Sequence, residues 1–452
     1  MLDLIKKYNV PVPRYTSYPT VPFWDIEAPS NTKWLNVVKK TFDETNEAEG
    51  ISIYIHLPFC DSLCTYCGCN TRITKNHKVE EEYILALLAE WKIYLNTFKE
   101  VPIVRELHLG GGTPTFFSPK NLTILISKLL EGTVVHSKNE FSFEGHPNNT
   151  SYEHLLALYN LGFRRVSYGI QDLNLKVQQT IHRIQPLENV VRATEDARKI
   201  GYTSVNYDLI YGLPYQTLET VKDTINKIAP LQPDRIAYYS YAHVPWVKPG
   251  QRSYTKADLP ADGEKRALYD LGKEMLTDLG YVDIGMDHFA LKSDSLYKAS
   301  QEGKLHRNFM GFTTSNTSLL IGLGTSSISD AKYAYAQNLK SVEDYKEEVL
   351  SSNLAVFKGH FLSEEDLEMK QIILDVACKG GADLSKIKLK DFWWSIDDQL
   401  NVMESEGLLL RINDSIKVTE LGMAFVRNIC AVFDLKMNAK NVSGEQIFSK
   451  SI

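Results

Sequence analysis

Four cysteines lie within ten residues and carry the clearest chemical signal in the chain. Cys60, Cys64 and Cys67 form a Cys-x3-Cys-x2-Cys loop, and Cys69 follows closely. Thiolates are soft ligands that suit iron–sulfur clusters or zinc. A closed zinc site needs four ligands, whereas three thiolates on a cubane cluster leave one iron open to a small molecule. The spacing favours the cluster. Zinc with Cys69 as fourth ligand, or a set of buried inert cysteines, are the alternatives.

Polar residues at predicted strand ends form a second candidate group. Glu144, Gln171 and Asp208 each lie in or at the C-terminal part of a strand, among mostly apolar or aromatic neighbours. In parallel barrels that end of the sheet carries the active site, which favours a functional role over a solvated loop or a structural polar group. Arg183 is a weaker candidate because it lies in a helical connection. The glycine run 110–112 alone indicates only a turn.

Six short strands with helices between them must position these residues. The β-branched run Ile51–Leu57 directly precedes the cysteine loop, and a strand over 106–109 runs into the glycine turn. The other predicted strands cover 141–144, 165–171, 204–211 and 235–241. The intervening helices are predicted over 78–98, 118–130, 152–159, 189–200 and 218–228.

This α/β alternation implies right-handed crossovers and a parallel sheet. Six units are too few for a complete eight-unit barrel, so a partial (β/α)6 barrel is expected. An open, doubly wound sheet fits the periodicity equally well. We expect an N-terminal arm over 1–50, a barrel domain with its C-terminal extension over 51–355, and a separate, mostly helical domain over 356–452.

The last domain has the element order of a winged helix. Helices are predicted around 364–377 and 391–406, followed by strands over 408–412 and 415–419. The turn Asn413-Asp414 suits a hairpin between these two strands.

The composition is that of an ordinary globular protein, with a net charge of −6 and a pI of about 6.0. This charge produces no strong electrostatic field that would attract nucleic acid or an anionic membrane. The C-terminal region also lacks the dense Lys/Arg stripe of a nucleic-acid-binding surface. We find no secretory signal and no apolar stretch long enough to span a bilayer. Clustered cysteines without a signal indicate a reducing compartment, so a cytoplasmic protein that binds neither membrane nor nucleic acid is expected.

The cysteine loop after an apolar strand resembles the signature of the radical S-adenosylmethionine (SAM) superfamily. The resemblance implies that Cys60, Cys64 and Cys67 ligate a [4Fe–4S] cluster. It also implies that the amino and carboxylate groups of SAM chelate the open iron, and that one electron cleaves SAM to methionine and a 5′-deoxyadenosyl radical. The cofactor carries the hard chemistry, and the protein positions it.

Further motifs resemble one family within that superfamily, the oxygen-independent coproporphyrinogen III oxidases. The matching stretches run from residue 13 to about 330 and extend to Cys430 in the last domain. They read PRYTSYPT (13–20), HLPFC (56–60), YCGCN (66–70), GGGTPT (110–115), DLIYGLP (208–214), IGMDHFA (284–290), LHRNF (305–309) and RNIC (427–430).

The resemblance implies a role for each matching position. Tyr54 and Glu144 are the expected catalytic residues, and Cys69 is the family's extra cysteine and not a ligand. The family holds two SAM molecules in one site. The implied cofactor-binding residues are Tyr54, Gly111, Gly112, Thr113, Glu144, Gln171, Arg183, Asp208, Ala242 and Ile328.

Two stretches depart from the family pattern. After Glu144 the family usually has an apolar residue and Asp-Pro, whereas this chain has Gly145-His146-Pro147. Met310 stands where a glutamine often follows Arg-Asn-Phe. The contact that Glu144 is expected to make with SAM should survive the change at Gly145-His146. The change at Met310 concerns a possible contact with the substrate.

The implied activity is oxidative decarboxylation of two propionates of coproporphyrinogen III to vinyl groups, giving protoporphyrinogen IX for heme synthesis. The implied partners are this substrate and a reduced electron donor such as flavodoxin or ferredoxin. The enzyme itself is expected to be a monomer. A heme chaperone of the same superfamily is the first alternative, but it typically lacks the 13–20 arm and the Gly-Cys-Asn extension. A winged-helix nucleic-acid-binding regulator is the second.

Overall fold

The structure is a computed structural model that describes residues 2–25, 29–385, 387, 393–440 and 448. All six predicted barrel strands are present. β3 begins earlier than predicted because its first half is mostly exposed and, after Val134 and Val135, polar, so it lacks the buried apolar pattern of the second half. The strands are β1 (Ile51–Leu57), β2 (Ile103–Gly111), β3 (Val134–Gly145), β4 (Arg165–Gln171), β5 (Ser204–Tyr211) and β6 (Arg235–Ser240).

The order of these strands resolves the choice between barrel and doubly wound sheet. β1 to β6 lie side by side in sequence order and are all parallel. In a doubly wound sheet the order of the strands reverses at a switch point, and no such reversal of order occurs among these six strands. The partial (β/α)6 barrel is therefore confirmed.

Further strands extend this sheet at both edges. β7 (Leu319–Leu323) pairs parallel to β1, and three antiparallel strands follow it. At the β6 edge the antiparallel strand His288–Leu291 pairs with β6 and with Tyr281–Gly285. The remaining strands are Ile328–Ala331, Ala334–Asn338, Val356–Phe361, Phe59–Cys60, Arg72–Ile73, His306–Asn308, Gly311–Thr313, Gly381–Asp383, Leu409–Ile412 and Ser415–Val418.

Helices follow the barrel strands as predicted, with ends set by local chemistry. The Ser118 hydroxyl caps the helix that begins at Pro119, and Gly201 ends another in the left-handed conformation with φ 114°. None of the described helices is long and apolar enough to cross a membrane. The helices are Leu2–Tyr8, Asn31–Glu49, Val79–Thr97, Pro119–Leu130, Tyr152–Asn160, Leu175–Thr180, Leu187–Ile200, Leu218–Ile228, Asp262–Asp278, Ser295–Gln301, Val342–Leu350, Glu364–Lys379, Trp393–Ser405, Glu420–Met423, Val426–Val432 and Leu435–Lys440.

The C-terminal region has the predicted helix–helix–hairpin order. Asn413 takes a positive φ of 53° in the turn between Leu409–Ile412 and Ser415–Val418. A third strand, Gly381–Asp383, completes the small sheet. The predicted helix start at 391–392 lies outside the described residues.

A second hydrophobic core joins the two ends of the chain. Tyr8, Val12, Tyr15 and Tyr18 of the arm pack among buried residues of the C-terminal helices. The Tyr15 hydroxyl also donates to Asp434 Oδ2 (3.1 Å). The division of the chain at residues 50 and 355 stays a prediction.

Candidate active site

Alternation along the strands separates the barrel's outer core from its polar interior. Apolar residues such as Phe143 and Leu209 pack into the large core of buried residues. The neighbours Glu144 and Asp208 therefore point the other way, into the barrel. The polar residues near the C-terminal ends of β3, β4 and β5 consequently share one space.

That space is a cavity of about 350 Å³ at the C-terminal ends of the strands. Of the residues predicted for the site, Tyr54, Ala242 and Ile328 do not line it. Those that do are Cys60, Cys64, Cys67, Gly111, Gly112, Thr113, Glu144, Gln171, Arg183 and Asp208.

The glycine turn after β2 holds the start of the cysteine loop. The Gly112 N–H donates to Leu57 O (2.8 Å), and the Thr113 N–H donates to Phe59 O (3.0 Å). The Thr113 hydroxyl lies 3.3 Å from Cys60 Sγ. Two segments more than fifty residues apart in sequence are thus fixed together by backbone hydrogen bonds.

The far side of the cysteine loop is tied to other elements. The Thr65 N–H donates to Ile181 O (3.0 Å), next to the helix that precedes Arg183. The Asn70 side-chain amide donates to Thr325 Oγ1 (2.8 Å). His56 Nε2 lies 2.8 Å from Asn70 O, and since a carbonyl only accepts, this nitrogen carries the proton. His56 Nδ1 then accepts from the Tyr54 hydroxyl (3.1 Å).

The thiols have unequal environments. Burial raises the pKa of Cys60 to about 11, whereas a hydrogen bond with Cys69 lowers the pKa of Cys67 to about 6. Arg183 Nη1 donates to Cys64 Sγ (3.7 Å), and Arg183 Nε is buried with no hydrogen-bond partner among the described residues. A cationic side chain beside three thiols suits an anionic cluster of thiolates, so the donor set fits an iron–sulfur group.

Glycines at 111 and 112 allow close backbone approach. Gly111 has φ +113°, and a Cβ there would lie 2.8 Å from the His56 ring. A Cβ on Gly112 would lie 2.6 Å from Pro58 O. Side chains at either position would displace the segment that leads into the cysteines.

Glu144 is positioned from two sides. Its Oε2 accepts from the Gly111 N–H (3.2 Å), and its Oε1 lies 3.6 Å from His108 Nε2. His108 Nδ1 lies 2.8 Å from Ser142 Oγ, which also accepts from Arg165 Nη2 (3.1 Å). Ser142 Oγ thus links Arg165 to the imidazole ring that faces Glu144.

Asp208 accepts from the Ser167 hydroxyl (3.1 Å) and from Asn206 Nδ2 (2.9 Å). Burial and then the nearby Glu144 charge nevertheless raise the pKa of Asp208 to about 6. The cavity thus holds one carboxyl that titrates close to neutral pH.

Gln171 and Arg183 meet over β4. Gln171 ends the strand with a positive φ of 65°, which turns its side chain beside Gly169. Arg183 Nη2 donates to Gly169 O (2.6 Å), so the guanidinium is anchored within the cavity wall.

The three predicted residues outside the lining lie close behind it. The Tyr54 ring would meet a Cβ on Gly110 at 3.0 Å. Ala242 O accepts from Gln251 Nε2 (3.2 Å) just after β6. Ile328 pairs with Gln337, and its backbone packs on Gly322, the β7 partner of Tyr54. Their roles stay predictions.

The departures from the family pattern fall in different places. His146 lines the cavity, and burial followed by the Arg183 charge lowers the pKa of His146 to about 2, so its ring is neutral. Met310 does not line this cavity, and its N–H donates to Asn308 Oδ1 (2.9 Å).

Sequence reasoning did not identify several neighbours of the site. Tyr239 and Ile210 line the cavity, and Ser167 and Asn206 hold Asp208. A polar residue two positions before Asp208 on the same strand was the available signal for Asn206.

Comparison with known proteins agrees with this geometry. The sequence profile of the radical SAM superfamily matches residues 54–228. An oxygen-independent coproporphyrinogen III oxidase of Synechocystis is 36% identical over 460 residues, covering 100% of this chain and 97% of the relative. The one from Escherichia coli K12 is 36% identical, with 97% and 96% covered.

A solved structure matches over nearly the same length. Coproporphyrinogen III oxidase from Escherichia coli, described as a radical SAM enzyme, has a TM-score of 0.89 and 35% identity, covering 96% of this chain and 98% of that one. Full-length similarity at this identity, together with the cysteine loop and the barrel that carries it, shows that the chain belongs to the oxygen-independent coproporphyrinogen III oxidases of the radical SAM superfamily.

Proposed function

We propose that the chain decarboxylates two propionates of coproporphyrinogen III to vinyl groups without oxygen, giving protoporphyrinogen IX for heme synthesis. The observation that carries the proposal is that three thiols and the carboxyls Glu144 and Asp208 line one cavity at the active end of the barrel. The full-length relatives supply the substrate class.

Each residue predicted for the site has a proposed task, whether it lines the cavity or lies behind it. Cys60, Cys64 and Cys67 hold the [4Fe–4S] cluster, and the glycine turn carries backbone groups to the methionine end of SAM. Tyr54 and Glu144 act closest to the chemistry. Two SAM molecules share the pocket, and their other contacts are Gln171, Arg183, Asp208, Ala242 and Ile328.

When bound, the cluster and SAM would supply a carbon-centred radical. Each propionate would give a β-hydrogen atom to that radical, then release carbon dioxide and pass one electron to a one-electron acceptor, which leaves the vinyl double bond. The chain's own residues bind and orient the cofactors and the substrate. Arg183 supports the thiols electrostatically, and the Gly111 N–H, which donates to Glu144 Oε2, holds that carboxylate in place.

Arg14 is the cation we propose for a substrate carboxylate. Its Nη2 donates to Ser240 O (3.3 Å) at the end of β6, and its guanidinium lies 5.5 Å from the centre of the Tyr239 ring. Tyr239 lines the cavity, so Arg14 lies at its edge. Its guanidinium is half-buried beside Asp287 (3.7 Å).

The remaining parts of the proposal concern the setting. A monomer in the cytoplasm would receive its electron from a reduced flavodoxin or ferredoxin. The thiols of the cysteine loop are unpaired, as a cluster site requires. We also propose the division into an arm, a barrel domain and a C-terminal domain at residues 50 and 355.

The test is anaerobic turnover. Protein with a reconstituted cluster is mixed with SAM, dithionite and coproporphyrinogen III, and both 5′-deoxyadenosine and porphyrinogen products are measured. Consumption of coproporphyrinogen with formation of protoporphyrinogen is expected. Formation of 5′-deoxyadenosine without loss of coproporphyrinogen would reject the substrate, and stoichiometric heme transfer without decarboxylation would favour the chaperone.

A further inference from the structure

We propose that an exposed face beside the cysteine loop docks a small acidic protein that delivers the electron. The inference rests on the proposed function, because cleavage of SAM takes up one electron. We call this surface the donor face. It is defined by the apolar side chains Leu63, Ile184, Trp246 and Val247 and the cations Lys248, Arg252 and Lys256.

The segment 243–253 lies directly on the cysteine loop. Gln251 Nε2 donates to Tyr66 O (3.2 Å), and Lys248 Nζ donates to Cys69 O (3.3 Å). A Cβ on Gly250 would lie 3.7 Å from Leu63 Cδ2. Electron transfer weakens steeply with distance, so a surface in contact with the cluster-binding loop is where a donor gains most by binding.

The apolar part of the donor face is unusually open to solvent. Trp246 is 61% and Val247 62% exposed, and Leu63 and Ile184 are 47% and 56% exposed. Leu63 and Ile184 also line the rim of the cavity. Exposed apolar groups that adjoin a functional site mark interaction surfaces, and tryptophan is the residue that most often anchors them.

The charge of the donor face selects the partner. Residues 243–258 contain Lys248, Arg252 and Lys256 and a single acid, Asp258, whose carboxylate accepts from the Tyr215 hydroxyl, although the whole chain carries a net charge of −6. The nearby acid Asp61 accepts a hydrogen bond from the Asn149 amide. A local positive face on a negative chain attracts an acidic protein here and repels it elsewhere. Transient redox encounters need only a small interface, which a face of this kind can supply.

The proposed step moves one electron. The docked protein is oxidised by one electron, the cluster is reduced by the same electron, and no bond forms or breaks. A chemical reductant such as dithionite needs no docking surface. Replacing the protein donor with dithionite therefore separates docking from catalysis.

The test uses Trp246→Ala and Lys256→Glu in the full-length, cluster-loaded enzyme. Trp394→Ala, at a position 70% exposed in the C-terminal domain, and Lys222→Glu, on the exposed side of the helix Leu218–Ile228, are matched controls. Coproporphyrinogen III consumption is measured with dithionite and, separately, against increasing reduced flavodoxin at low ionic strength. The donor-face variants should need roughly tenfold more flavodoxin for half-maximal rate, as expected for loss of an anchor.

Other results would overturn the proposal. An unchanged flavodoxin requirement would exclude docking at this face. A raised KM for coproporphyrinogen III with dithionite would instead make the face a substrate entrance. If the wild type cleaves SAM but never consumes coproporphyrinogen, the proposed function fails by itself, and flavodoxin-driven formation of 5′-deoxyadenosine still tests the donor face.

Discussion

Asp208 is the carboxyl through which the cavity becomes sensitive to pH. Burial and the Glu144 charge raise its pKa from 3.8 to about 6, against the hydrogen bonds from Asn206 and Ser167. Because the folded state then holds a proton that the unfolded state has lost, the contribution of Asp208 to stability falls as pH rises between about 4 and 6. The proposed binding of SAM by Asp208 has the opposite pH dependence, since only the carboxylate is a full hydrogen-bond acceptor.

We expect the affinity for SAM to rise as pH increases through about 6 and to level off above it. Asp208→Asn should weaken binding by about ten- to 100-fold, corresponding to the ~1.5–3 kcal/mol of a hydrogen bond to a charged group, and should abolish this pH dependence. Equilibrium dialysis of cluster-loaded protein between pH 5 and 8 measures both. His56 and His146 have lowered pKa values, so a step that persists in the variant would point to another group.

The cysteines give a second prediction at this scale. Single changes of Cys60, Cys64 or Cys67 to Ser should each remove most cluster iron and sulfide after anaerobic reconstitution. Cys69→Ser should retain them, because the contact that Cys69 makes through its backbone N–H to Cys67 Sγ (3.4 Å) survives the change. If Cys69→Ser loses the cluster while one of the other three variants retains it, Cys69 is a ligand and the three-cysteine assignment is wrong.

Residue types and spacing were sufficient to predict the cavity lining only where a motif or a strand end was present. The cysteine loop, the glycine turn, Glu144 and Asp208 are of this kind. The hydrogen bonds that fix these residues could not be predicted in this way. Asn70 bonds to Thr325, and Thr65 bonds to Ile181, across long stretches of sequence. Such contacts depend on the order of strands in space, which periodicity does not encode.

The turn between β2 and the following helix is the element that sets the cysteine loop. Gly112→Ala would place a methyl group 2.6 Å from Pro58 O, which is backbone and cannot move aside alone. We expect a loss of about 1–3 kcal/mol in the free energy of unfolding and a marked loss of cluster content. Chemical denaturation and iron analysis provide the two measurements.

Gly263→Ala is the matched control, because a Cβ there meets nothing within 4 Å and the residue lies in the helix Asp262–Asp278. Its stability should stay equal or increase by up to about 1 kcal/mol. If Gly112→Ala reconstitutes a full cluster with unchanged stability, the close packing of the turn against Pro58 is not what positions the cysteines.

At the element scale the strands with strong β-branched or aromatic runs were predicted to within a residue or two, as for β1, β4 and β5. The first half of β3 was missed because its side chains are mostly exposed and give no buried apolar pattern, although Val134 and Val135 pair with β2. The sequence also left barrel and doubly wound sheet undecided. Both have the same alternation, and only the pairing order distinguishes them.

At the scale of the whole molecule, the two chain ends pack together beside the barrel. Arg427 of the C-terminal region donates to Pro13 O (3.1 Å) and Val12 O, and the Asn428 side chain donates to Tyr8 O (2.9 Å). Arg14, the proposed substrate cation, directly follows the two carbonyls that Arg427 holds. The C-terminal region is therefore in a position to fix the arm at the edge of the cavity.

Arg427→Ala should release that arm. Two half-buried carbonyls lose their donor, so we expect a loss of about 1–3 kcal/mol in stability, faster proteolysis within residues 8–20, and a raised KM for coproporphyrinogen III. The kcat should change less, because the residues that line the cavity stay in place. Arg427→Lys should recover part of the KM effect, since an ammonium keeps the charge and the donors but lacks the planar fork with which Nε and Nη2 reach the two carbonyls.

Arg198→Ala is the control for removal of an arginine from the surface of the molecule. Arg198 pairs with Asp234 (2.6 Å) on the outer helix Leu187–Ile200, and its loss should cost at most about 1 kcal/mol and leave KM unchanged. If the arm of Arg427→Ala is cut rapidly while the KM for coproporphyrinogen III stays at the wild-type value, Arg14 does not bind the substrate. If the arm resists protease as in the wild type, the hydrophobic contacts of Tyr8, Val12 and Tyr15 are sufficient to hold it, and the arginine is not its anchor.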